Sequence, residues 1–144
     1  MKRADRQRIL SYYAKGAEWE RQATDDGWLE FVRTLHLIER WFPPGSTVLD
    51  LGGGPGRFTL ELAARGYLPT LLDLSPALVS EARERAGDDT SIQGFVVGDA
   101  ARIPDEASGP FDAVLCFGPL YHLTGWEEAD SLLTEIARVL KPGG

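Results

Sequence analysis

One cysteine in 144 residues, Cys116, excludes an internal disulfide framework. It falls in the apolar run 113–117, where a buried, inert thiol is the ordinary expectation, and a reducing, cytoplasmic setting suits such a chain. Long hydrophobic runs are also missing. The charged start, Met1 to Arg8, leads into Ile9-Leu10-Ser11-Tyr12-Tyr13, and no run of about 18 apolar residues follows, so neither export nor membrane spanning is expected. Basic residues are outnumbered, 15 to 22, and the net charge of -7 repels a phosphate backbone, which argues against nucleic acid as a partner. Histidine occurs only at His36 and His122, and no metal-ligating cluster is visible.

What the chain does have is enough apolar material for one core, with 43% hydrophobic and 10% aromatic residues. Residues 1–46 read as helical segments and 47–144 as alternating strands and helices, the pattern of a parallel sheet covered on both faces. Trp28, Phe31, Val32, Leu35, Ile38 and Phe42 trace a helical period that Pro43-Pro44-Gly45 ends, with Asp25-Asp26-Gly27 as the turn before it. Strands are expected at about 47–51, after Pro69, at about 92–97 and at about 112–117. Ser75-Pro76 opens and Gly87 closes one helix; Thr124-x-x-Glu127 caps a last one, with Ala129, Leu132, Leu133, Ile136 and Leu140 on its inner face.

The densest signal is Val48-Leu49-Asp50-Leu51-Gly52-Gly53-Gly54-Pro55-Gly56, an apolar strand running into a glycine loop and then a helix. Gly52, Gly54 and Gly56 give G-x-G-x-G; the dinucleotide fingerprint G-x-G-x-x-G would need glycine where Arg57 stands. The loop resembles motif I of the class I S-adenosylmethionine (SAM)-dependent methyltransferases. Leu71-Leu72-Asp73-Leu74-Ser75, Val97-Gly98-Asp99-Ala100, Phe111 to Cys116 and Leu140-Lys141-Pro142-Gly143-Gly144 resemble that family's later elements, in order, over residues 8–144.

The resemblance implies a doubly wound, Rossmann-like parallel sheet with strand order 3-2-1-4. It also implies three more strands in the family order 3-2-1-4-5-7-6, hence a chain truncated after strand four and the helix that follows it, with an open strand-four edge that could support a dimer. A SAM site is implied at Asp50, Gly52, Gly53, Gly54, Asp73, Leu74, Asp99, Ala100 and Phe117. Bare glycines let the main chain approach the methionine portion, Asp50 orients the loop, Asp73 accepts from the ribose hydroxyls, and Asp99 with the Ala100 amide meets the adenine. Tyr12, Tyr13 and Arg33 are further candidates, and His122 is either a general base or a packing residue. The expected reaction is methyl transfer to a small-molecule acceptor. A non-catalytic SAM-binding fragment and an NAD(P)-dependent oxidoreductase stay open as alternatives.

Overall fold

The strands are short apolar runs buried on both faces, as a helix-covered parallel sheet demands. The computed structural model describes residues 25–119 and 125–144, together with residues 7, 10, 11 and 19. In chain order the elements are α1 (Asp25–Trp41), β1 (Thr47–Leu51), α2 (Arg57–Ala64), β2 (Leu68–Asp73), α3 (Pro76–Ala86), β3 (Gly94–Val97), β4 (Ala113–Leu115) and α4 (Trp126–Val139). All strand pairings are parallel and the sheet order is β3-β2-β1-β4, as the resemblance implied.

Strand alternation decides which helix meets which residue. Val48, Ala113 and Leu115 face one side and pack with Phe31, Leu35 and Ile38 of α1 and Leu62 of α2, while Leu71 meets Val79 and Ala82 of α3 on that same side. Leu49, Leu51 and Leu72 face the other side, where Leu132 and Val139 of α4 cover them. Asp50 therefore points toward α2, and Asp73, two residues beyond Leu71, emerges on the same side.

Several boundaries differ from the sequence reading. Helix α1 takes in Asp25-Asp26-Gly27, because aspartate and glycine serve helix starts as readily as turns. Pro69 lies inside β2, not before it: its missing donor faces β3, whose ladder begins only at Thr70↔Gly94, while the Leu68 amide on the other side bonds the Ser46 carbonyl at 3.0 Å. β3 and β4 are shorter than expected. Gly125 occupies the N-cap position of α4, and Thr124 lies outside the described residues. Leu133 is exposed, because a stripe through Leu132, Ile136 and Val139 turns its neighbour outward. Ser75, Pro76 and Gly87 delimit α3 as read; the Ser75 hydroxyl accepts from the Leu78 amide.

Beyond α4 the chain returns to the sheet. The Lys141 amide donates to the Phe111 carbonyl and the Phe111 amide to the Val139 carbonyl, each at 2.8 Å, just ahead of β4 on the edge away from β1. Asp112 joins these segments, accepting from the Thr47 amide at 2.8 Å and the Lys141 ammonium at 2.7 Å. Those contacts, Lys141 first, hold its pKa at about 2, so their stabilisation is present above the ordinary aspartate range and disappears as pH falls through about 2.

Candidate active site

The carboxyl ends of β1 and β2 and the start of α2 meet at the glycine loop. Gly52 has φ +77°, Gly54 +56° and Gly56 +88°, a left-handed path that side chains resist. The Gly52 amide donates to the Leu72 carbonyl at 2.7 Å, which fastens the loop to β2. Gly53 is glycine for a different reason: a Cβ there would sit 2.7 Å from the Asp50 carboxylate. The loop backbone therefore lies directly against a buried acid.

Asp50 is 3% exposed, and one of its oxygens accepts from both the Thr59 amide at 3.1 Å and the Thr59 hydroxyl at 2.7 Å. Burial raises its pKa to about 6; the Thr59 bonds oppose the rise and neighbouring Asp73 adds to it. Asp73 braces the loop from β2, accepting from the Gly54 amide at 3.0 Å through one oxygen and from the Ser75 amide at 2.8 Å through the other. Leu74 follows it, half-buried. Asp50, Gly52, Gly53, Gly54 and Asp73 are thus brought together.

Asp99 and Ala100 sit past β3. One Asp99 carboxylate oxygen accepts from the Ala101 amide at 3.0 Å, closing a tight turn, and Asp99 lines an open groove of about 430 Å³ with Gly98, Arg102, Pro104 and Glu106. Phe117 follows β4 on the α2 side, its ring 5.2 Å from that of Phe58, which lies 4.9 Å from Phe31. Arg33 is exposed on α1. Tyr12, Tyr13 and His122 lie outside the described residues.

Three residues here escaped the sequence reading. Thr59 had a local signal, a hydroxyl in the first turn of the helix after the loop. Pro119 had none: its ring lies 2.6 Å from the place a Gly52 Cβ would take, a contact that only the fold creates. Arg57 counted only as a missing glycine, yet its guanidinium rests 4.3 Å from the centre of the Phe31 ring.

The family model for the methyltransferase domain matches residues 48–144. A ubiquinone biosynthesis O-methyltransferase of Xanthomonas oryzae pv. oryzae is 37% identical over 114 residues, covering 78% of this chain and 46% of that protein. Among solved structures, a SAM-dependent methyltransferase of Thiobacillus denitrificans in complex with S-adenosyl-L-homocysteine is 30% identical with a TM-score of 0.61, over 80% of this chain and 45% of that one. A Pyrococcus horikoshii protein is 29% identical with a TM-score of 0.68, over 93% and 58%. The chain spans about half the length of the curated relatives it matches, 46% in the Xanthomonas case. With a glycine loop on β1, acids at the ends of β1, β2 and β3, and strand order β3-β2-β1-β4, the chain belongs to the methyltransferase domain family, in its SAM-dependent class I form.

Proposed function

We propose that this chain binds SAM at the glycine loop and directs its methyl group to a small-molecule acceptor. The carrying observation is the bare backbone at Gly53 held against the buried Asp50 carboxylate. The donor set fits the cofactor's chemistry: SAM is cationic at its sulfonium and its ammonium, and Asp50 and Asp73 supply anionic character on one side of the loop. When bound, SAM supplies an electrophilic methyl whose leaving group is a neutral thioether.

In this reading Gly52 and Gly54 hold the methionine portion through main-chain groups, and Asp73 with Leu74 takes the ribose. Asp99 and the Ala100 amide receive the adenine, and Phe117 covers the site from β4. Asp50 keeps the loop in register through Thr59 and offsets positive charge nearby. The chain's own work is alignment and water exclusion, which suffice for a direct displacement. The Xanthomonas relative, by its name an O-methyltransferase of ubiquinone biosynthesis, supports a small organic acceptor, as does the net charge of -7. Arg57 and the family assignment both count against the oxidoreductase alternative. Among the described residues no helix is long and apolar enough to cross a membrane.

Asp73→Asn tests the arrangement, since it sets an amide N–H₂ against a backbone donor and keeps a single acceptor oxygen. S-adenosylhomocysteine affinity should fall about tenfold, roughly 1.4 kcal/mol, with the fold retained by circular dichroism. Unchanged affinity would remove Asp73 from the site.

A further inference from the structure

Arg57 opens α2 directly after Gly56, and its guanidinium faces rings: Phe31 at 4.3 Å and Trp28 at 5.9 Å from the ring centres. Among the described residues no carboxylate pairs with it, whereas Arg65, Arg85, Arg138 and Lys141 each hold one. Arg33, Arg40, Arg83 and Arg102 likewise hold no carboxylate among the described residues, so what sets Arg57 apart is its place over Phe31 at the end of the glycine loop. Burial against the rings also lowers its pKa from the usual arginine value, a sign of partial desolvation.

The rings continue past it. Phe31 touches Phe58, Phe58 touches Phe117, and the row runs from α1 to the chain leaving β4. It stands at the carboxyl ends of β1 and β4, where the strand order reverses and ligands of doubly wound sheets bind. The two ends of the row are open, Trp28 being 58% and Phe117 42% exposed. A guanidinium stacked by its face keeps its N–H edge for a carboxylate or phenolate, and flat exposed rings suit another flat ring.

We propose that Arg57 and this aromatic row form the acceptor-recognition site, selecting a planar aromatic acceptor that carries an anionic group. Arg57 takes the anion, and Trp28, the open ring beside it, takes the acceptor ring. The assignment rests on the methyltransferase reading above. The carboxylate on the cofactor's own methionine end has the same chemistry, so the test separates the two sources.

Calorimetric titrations of the wild-type chain with 3,4-dihydroxybenzoate and catechol, with and without S-adenosylhomocysteine, compare an anionic ring with its neutral counterpart. The acid should bind about tenfold tighter, the scale of a charge-assisted contact. Arg57→Met should erase that preference and leave S-adenosylhomocysteine affinity within about twofold. Arg57→Lys keeps the charge without the planar fork and should retain part of the preference, which keeps the test valid if the Met variant folds poorly. Equal binding of the two probes to wild type, or a preference that survives Arg57→Met, would overturn the proposal. So would an equal loss of S-adenosylhomocysteine affinity in the variant, which would assign the guanidinium to the cofactor. A wild-type chain that ignores S-adenosylhomocysteine yet prefers the acid would overturn the methyltransferase reading and leave the anion site standing.

Discussion

Gly53→Ala should lower unfolding free energy by about 1–3 kcal/mol, the range for an overpacked interior, and weaken S-adenosylhomocysteine binding by about a hundredfold. The added methyl would lie 2.7 Å from Asp50 Cγ and Oδ2. Asp50 has little room to yield, because the Thr59 amide and hydroxyl both donate to it and it is 3% exposed. The loop must move instead, and it carries the Gly54 amide bonded to Asp73 with it. Chemical denaturation and calorimetry on the same preparation read both effects. Stability within 0.5 kcal/mol of wild type, a figure ordinary for a neutral surface change, would show that the loop does not bear on Asp50 as described.

Asp50→Asn should do the opposite to stability. Asp50 titrates at about 6 in the folded chain, mainly through burial, against 3.8 as its ordinary value. A raised carboxylate pKa means that the folded state holds the proton more tightly. Its contribution to stability therefore declines as pH rises from about 4 to 6 and stays low above that. Asparagine keeps an oxygen for Thr59 and removes the charge, so the variant should gain on the order of 2–3 kcal/mol at neutral pH and nothing below about pH 4. Binding should suffer in a charge-dependent way, with the sulfonium SAM losing more affinity than the neutral thioether S-adenosylhomocysteine. Thermal melts at the two pH values, paired with titrations of both ligands, check this. A variant destabilised equally at both pH values, or one that loses the two ligands alike, would contradict the charge argument.

Much of the sheet was legible because continuous apolar runs and glycine punctuation are local signals. The run 47–51, the glycines after it, and Ser75-Pro76 with Gly87 need only their own neighbours to be read. Pro69 was misplaced because its tolerance depends on where β3 begins, some 25 residues later. Leu133 was misplaced because two adjacent leucines cannot both face the core, and sequence does not say which one does. In the site, Asp50 and Asp73 stood out at strand ends, and the structure adds what each one grips: Thr59 for the first, the Gly54 and Ser75 amides for the second. Asp99 fits the turn-closing role that aspartate commonly has, in addition to any ligand. The Gly52–Pro119 packing and the rings around Arg57 join segments far apart in the chain, so no local pattern announces them.

Titration of the purified chain with S-adenosylhomocysteine and, separately, with NAD tests the central claim most directly, since both cofactors seek a glycine loop followed by a strand-end acid. The account predicts saturable, one-to-one binding of S-adenosylhomocysteine, weakened about a hundredfold in Gly53→Ala, and no saturable binding of NAD. Tighter binding of NAD, or S-adenosylhomocysteine binding that Gly53→Ala leaves intact, would contradict it.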